Sequence, residues 1–413
     1  MFLWSGRLGG ASRFSRPDAV TPPRHSTFVL GFIIAIGPVS VDMYLPAFSL
    51  IAKEFGAAAP QLTLAAYFFG FAAGQMAQGL LADRFGRRLP LTAGLALYTV
   101  SSLLCAGATS VPAFCLFRFF AAFGAAAAIV VPRAMVRDIA DGSQAAVLMS
   151  GVMQVMSVAP VIAPAAGSLV LLSAGWRGIF IVAAAYGIAG LVLLRLYLPE
   201  TLPPERRLAI GVLPTLRLFR STLRERGFLG NALIGTFGMG ALFAYLAGAP
   251  TAFMALYGLA QWQFGLVLAL LGVATIGFFR LNRFLVVRHG THQVITLGII
   301  IWLAASLCLV LLALRPSSGA VLFFLALLIF GLGYSFIPSN AQIGALSHHM
   351  GHAATATALM STLQYCAGGL AGALVGRLAD GTARPMACIM LVCALGAAAA
   401  AWMRPGDTAA RLQ

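Results

Sequence analysis

The chain has 413 residues, 60% hydrophobic and only 9% charged, where soluble domains carry about a quarter charged residues. So few charges cannot cover a water-facing surface, and lipid must be the main solvent. The net charge of +16 comes from 26 arginines and one lysine against 11 acids, but the arginines punctuate apolar runs instead of forming one basic face, which excludes nucleic-acid binding.

Residues 1–27 carry Arg7, Arg13, Arg16 and Arg24 without a continuous apolar core, and predict a disordered basic cytosolic tail, not a signal peptide. Apolar runs at 28–52, 60–82, 90–109, 112–132, 143–172 and 177–198 each suit one crossing and form a first bundle over 28–198. Pro199 to Gly227 is the longest hydrophilic gap, with six arginines and three glutamates, and predicts a cytosolic linker over 199–227. Runs at 228–251, 262–286, 291–314, 318–340, 353–379 and 386–403 give a second bundle over 228–403, before a cytosolic tail at 404–413. Long apolar runs exclude a barrel, whose strands alternate. The expected fold is an all-α polytopic membrane protein: twelve transmembrane helices in two pseudo-symmetric six-helix bundles. Leu148-Met149-Ser150 with Gln154, and Leu359-Met360-Ser361 with Gln364, form a faint repeat at matching places in the two halves.

The positive-inside rule sets the orientation. With the N-terminus in the cytosol of a bacterium and the chain in its inner membrane, 21 of the 27 basic residues fall on the cytosolic side, and both termini are cytosolic. Lys53, Arg177, Arg315 and Arg384 fall outside; Arg118 and Arg377 lie within or near helix ends.

Between the second and third spans stands Gly79-Leu-Leu-Ala-Asp83-Arg84-Phe-Gly86-Arg87-Arg88. Gly79 is expected to let two helices approach, Gly86 to allow a tight reversal, and Asp83 to accept from an arginine or a helix N-terminus. Arg84, Arg87 and Arg88 anchor the cytosolic side. This is similar to the G-x-L-x-D-R-x-G-R-R signature of major facilitator transporters, which implies a gate role. Asp42-Met-Tyr44-Leu-Pro46, Arg118 with Gly124, Ala163-Pro164, Gly175-Trp176-Arg177-Gly-Ile-Phe180, and Phe243-Ala-Tyr245-Leu with Pro250 resemble the Bcr/CflA drug-resistance subfamily. The resemblance implies a proton-driven exporter of antibiotics and other small molecules. One departure is Ala121, where the subfamily usually has Gln. Gly376-Arg-Leu-Ala-Asp380 imitates the signature at the wrong end of a helix and reads as an ordinary helix end, whereas Asn282-Arg283 occupies the place of a degenerate second copy.

Asp42 is the one carboxylate well inside a span, where an ionisable group marks a proton or ion site. At 1.5 Å per residue it lies about 21 Å from the cytosolic start of its helix, and Arg118 lies at about the same depth, roughly 9 Å from the periplasm. The expectation is a proton-coupling pair. Pro160, Pro164 and Gly167 predict a hinge in the fifth span. Tyr44, Gln154, Tyr245 and Gln364 are candidate substrate-cavity residues. His348-His349-Met-Gly-His352 lacks acidic or thiolate company, so no metal is expected, and the six cysteines read as buried hydrophobes. No G-x-x-x-x-G-K-[ST] loop occurs, so no cofactor is expected and the proton gradient would supply the energy. The expected partners are a small-molecule substrate, protons and lipid, around a monomer. Uptake of a nutrient or osmolyte by proton symport is the alternative transport reading. An enzyme lacks a polar catalytic set, and a channel would favour shorter chains.

Overall fold

The computed structural model describes residues 26–140, 142–207, 219–315, 319–346 and 353–404. The basic N-terminal tail to residue 25, the middle of the linker, His348 to His352 and the tail from residue 405 lie outside the described residues. Among the described residues, nine helices are long and apolar enough to cross a membrane. Ala59–Phe85 is a tenth of sufficient length, its apolar character diluted by Gln61, Thr63, Gln75 and Gln78. Two of the nine are folded pairs. Gly175, at φ 65°, and Gly290, at φ 78°, interrupt otherwise helical stretches with backbone angles that glycine adopts without steric cost.

The count is therefore twelve: α1 (Thr27–Phe55), α2 (Ala59–Phe85), α3 (Arg88–Ala106), α4 (Val111–Ile139), α5 (142–174), α6 (176–197), α7 (Arg226–Leu256), α8 (261–289), α9 (291–314), α10 (Ala320–Leu346), α11 (Ala353–Arg377) and α12 (Arg384–Ala401). The reversal at Gly175 is visible in the packing. Arg177 reaches the Ala108 carbonyl beyond the end of α3, and Arg195 lies against Arg88 at its start, so α6 runs antiparallel to α3. The chain thus has a signature end, holding the α2–α3 turn, and an opposite end.

α1 and α7 are broken at equivalent places, and α10 is interrupted at Phe336–Ile337 ahead of Pro338. α1 is helical over Ile36–Asp42, passes through a 3₁₀ turn at Leu45–Ala47 around Pro46, and resumes at Phe48. α7 changes from α to π geometry after Pro250. Proline removes a donor and crowds the preceding turn, which accounts for both positions. Pro160 and Pro164, by contrast, leave α5 helical, and the only non-helical angles over Gly142–Tyr197 are at Gly175. The expected hinge is not a break in this conformation. Gly167 instead allows close contact: a Cβ there would lie 2.5 Å from the Met43 carbonyl oxygen of α1.

Small residues bring the helices together, as they do where lipid removes the hydrophobic drive for helix association. A Cβ on Gly74 would stand 2.6 Å from the Ala126 Cβ, and one on Gly94 2.8 Å from the Gly124 carbonyl. The expectation that Gly79 does this is corrected. A Cβ there would meet only Val130, at 3.9 Å, so the close contact of α2 with α4 falls earlier on α2, at Gly70 and Gly74.

The bundles meet where α2 packs on α11 and α5 on α8. At the opposite end they touch: Gly369 lies against the Ala65 carbonyl and Phe69, and Gly376 against Gln61 and Ala58. Gly376 is therefore a close inter-bundle contact, more than the ordinary helix end expected. At the signature end a mouth of about 330 Å³ opens, with walls from α2, α4, α5, α10 and α11.

Candidate translocation site

A chamber of about 340 Å³ lies between the bundles, walled by Tyr67, Phe68, Phe71, Phe243, Tyr245 and Tyr365 among largely apolar neighbours. Phe68 and Phe243 stack across the bundle interface at 3.6 Å, and Phe71 meets Tyr365 at 4.4 Å. Such rings offer flat apolar faces with a few polar tips. Asp42 stands on this wall, as do Pro164 and Thr275. Its carboxylate makes no hydrogen bond or ion pair with any described residue. Tyr245 of α7 faces it from the other bundle, within electrostatic reach.

The expected Asp42–Arg118 pair is absent. Arg118 is 2% exposed and lies behind α1, between Tyr44 at 4.5 Å and Tyr67 at 4.4 Å, with Phe180 at 5.6 Å. Cation–π attraction offsets part of its desolvation cost, by about 0.5–2 kcal/mol per ring. Its Nη1 donates to the Ser40 carbonyl at 3.5 Å, while Nε and Nη2 have no protein partner. A side pocket of about 10 Å³, roughly the room of one water, lies here between Ser40, Tyr98, Ser102, Arg118 and Ala121. Ala121 thus leaves space beside the guanidinium where the subfamily's longer glutamine would stand. Ser40 and Tyr98 share a 2.7 Å hydrogen bond across the same pocket.

The four cavity candidates divide. Tyr245 lines the chamber. Tyr44 is fully buried in the Arg118 box and hydrogen-bonds Thr63. Gln364 packs its amide against Gly235 of α7. Gln154 is exposed and lines neither the chamber nor the mouth.

At the opposite end, Glu54 of α1 accepts from Arg177 at 2.5 and 3.0 Å and from the Trp176 indole at 2.8 Å. Arg177 also stacks on Trp176 at 4.2 Å. The Gly175-Trp176-Arg177 run is therefore a turn followed by a clamp on α1.

The signature builds a staple within the first bundle. Arg87 donates to Asp83 at 2.6 Å and to Asp138 of α4 at 2.7 Å. Arg84 sits over the Phe85 ring, and Arg88 donates to the Arg195 carbonyl at 3.1 Å. Gly86 has φ 90°, and a Cβ there would lie 2.6 Å from Glu200. Glu200, which sequence reasoning left in the linker, caps α3. Its carboxylate accepts the backbone N–H groups of Arg87 (2.8 Å), Arg88 (3.1 Å), Thr201 (3.0 Å) and Leu202 (3.0 Å). Burial alone would raise its pKa, but these donors hold it below the ordinary glutamate value. A carboxylate with a depressed folded pKa stabilises fully above its unfolded pKa and loses that contribution as pH falls through the folded value. The midpoint of thermal unfolding in detergent is therefore expected to fall on acidification below about pH 4.5, and to fall less in Glu200→Gln. Equal slopes in the two proteins would remove Glu200 from this account.

At the second-copy place the contact is between neutral side chains: Asn282 accepts from Asn340 at 2.8 Å, both buried. Among the described residues no cluster of three metal-ligating side chains occurs.

The Major Facilitator Superfamily profile matches residues 30–373. An uncharacterized MFS-type transporter of Bacillus subtilis, YdgK, is 33% identical over 373 residues, covering 89% of this chain and 92% of its own. A bicyclomycin resistance protein homolog of Haemophilus influenzae is 29% identical over 379 residues, covering 89% and 94%. Among solved structures, a D-xylose-proton symporter superposes with TM-score 0.70 at 16% identity, covering 90% of this chain and 96% of that one, which speaks for the fold alone. Twelve helices in two bundles, an inter-bundle chamber and these matches together make the chain a multi-pass membrane transporter that belongs to the Major Facilitator Superfamily.

Proposed function

We propose that this transporter is a proton-coupled antiporter that exports small drug-like molecules across the bacterial inner membrane by alternating access, as a monomer. The observation that carries the reading is Asp42, a carboxylate without an ionic partner on the wall of an aromatic inter-bundle chamber. A buried acid without a fixed partner can change protonation as access alternates, which a static pair would resist. Arg118 then serves by holding α1, through Ser40 and Tyr44, and not by pairing with Asp42.

The arginine distribution supports a cytosolic signature end with both termini on that side. The conformation then faces inward, open at the mouth and closed where α2 meets α11. The gate role of Gly79, Asp83, Arg84, Gly86, Arg87 and Arg88 rests on the staple that joins α2 to α4 and the linker. The names of the bicyclomycin-resistance and multidrug-resistance relatives support drug export. Against sugar uptake stands the chamber wall, where aromatic and aliphatic side chains greatly outnumber the hydrogen-bonding groups a sugar would need.

Inside-out vesicles with an acidified lumen test the reading. An antiporter given its substrate outside releases lumenal protons, so a pH-sensitive dye reports alkalinisation. A symporter carries protons inward with substrate, and further acidification on substrate addition would overturn the proposal.

A further inference from the structure

The mouth differs in chemistry from the chamber, and the difference centres on Arg133 of α4. Three arginines line it: Arg87, Arg133 and Arg137. Arg87 is neutralised by Asp83 and Asp138. Arg133 has no such partner: among the described residues no carboxylate pairs with it, and its Nε is shielded from solvent without a hydrogen bond. Gln75, Gln342, Thr357 and Ser361 complete a hydrogen-bonding wall around it. The Arg133 guanidinium also lies within electrostatic reach of Tyr365, a ring of the chamber wall, so the cation stands where mouth and aromatic chamber come side by side.

Resting on the transport reading above, we propose that this space is an anion-binding subsite and that the substrates include anionic aromatic amphiphiles, with a carboxylate or sulfonate head at Arg133 and the ring body among Phe71, Phe243 and Tyr365. A guanidinium whose Nε is shielded without a partner loses hydration there without recovering it from the protein. A planar carboxylate restores those bonds two at a time, which an uncharged amide cannot do. Arg137, also on the mouth wall, adds positive charge to the approach. The excess of cation in the mouth suits a substrate drawn from the cytosolic side, and the chamber supplies apolar cover once it is inside.

The test measures binding alone. The full-length protein is reconstituted in vesicles of neutral phosphatidylcholine, so that no anionic lipid competes. Naphthalene-2-carboxylate and the isosteric naphthalene-2-carboxamide are titrated while protein fluorescence is followed. The carboxylate is expected to bind about tenfold more tightly than the amide, as for a charge-assisted bidentate contact. In Arg133→Gln the preference should shrink to within about twofold, and Arg133→Lys should retain part of it, because an ammonium keeps the charge but not the planar fork. Size-exclusion profiles and thermal unfolding establish that each variant is folded. Arg137→Gln serves as a second variant, expected to reduce the preference less than Arg133→Gln does. Equal affinity for the two compounds in the wild type would overturn the proposal, as would failure of both to bind or a preference that survives Arg133→Gln. No gradient or transport is involved. Loss of proton coupling in the vesicle experiment would therefore leave this result intact, and equal binding here would leave the antiport reading standing.

Discussion

Asp42→Asn protein should reach the membrane folded and fail to convert a proton gradient into efflux. The substitution keeps the size of the side chain and a polar head in the chamber, and removes only titration. Asp42 has no hydrogen bond or ion pair among the described residues, so no partner is orphaned, and the usual penalty for breaking a buried pair does not arise. Gradient-driven substrate accumulation is expected to fall by about 5- to 150-fold, the range that coupling free energies between sites usually span. Substrate binding should persist and lose its dependence on pH in the region where the wild type titrates. Energised right-side-out and inside-out vesicles, with binding measured in parallel, separate the two quantities. Well-folded Asp42→Asn protein that still exports in a pH-dependent way would show that the proton travels elsewhere.

Depth along a helix is readable from a sequence, but azimuth is harder to judge. The matching depths of Asp42 and Arg118 suggested a pair, yet depth does not say which face of α1 each residue meets. At 3.6 residues per turn, Asp42 points roughly 200° away from Ser40, whereas Tyr44 returns to within about 40° of it. Ser40 and Tyr44 are the α1 residues that meet Arg118, and Asp42 faces the chamber. The (i, i+4) relation of Ser40 and Tyr44 was available in the sequence and would have assigned Tyr44 to the arginine instead of to the substrate. Twelve crossings were legible because each buries an apolar run long enough for the bilayer. The ends of α4 and α10 were not. Arg133, Arg137 and Asp138 continue the α4 helix to Ile139 beyond its apolar stretch, and hydropathy alone ends it at about residue 132. Reading those arginines only as markers of topology also concealed the mouth. Glu200 carried no local signal, since its role depends on a turn more than a hundred residues earlier in the chain.

Removing Arg87 should destabilise the protein more than removing either of its partners. Among the described residues the signature makes no hydrogen bond or ion pair to the second bundle. It ties the end of α2 to the end of α4 through one buried guanidinium, 8% exposed, that serves two carboxylates. Arg87→Ala leaves Asp83 and Asp138 facing each other without a cation, and also removes the side chain beside the Glu200 cap. Breaking a buried pair costs about 3–5 kcal/mol, and the 42% exposure of Asp83 argues for the low end, about 3 kcal/mol. Asp138→Asn should cost less, because Arg87 keeps Asp83. Asp83→Asn should cost least, about 1 kcal/mol or below for a partner half in solvent, and should still lower transport. Thermal unfolding of the three variants in one detergent gives the order, and a double-mutant cycle on Arg87 and Asp138 isolates their coupling. Transport in the same proteins then separates two roles for the aspartate. If the loss of transport follows the loss of stability across the series, the staple acts by holding the first bundle together. If Asp83→Asn, nearly as stable as the wild type, loses as much transport as Arg87→Ala, then Asp83 makes its decisive contact in the outward-facing state, and the pairing described here is only its resting place.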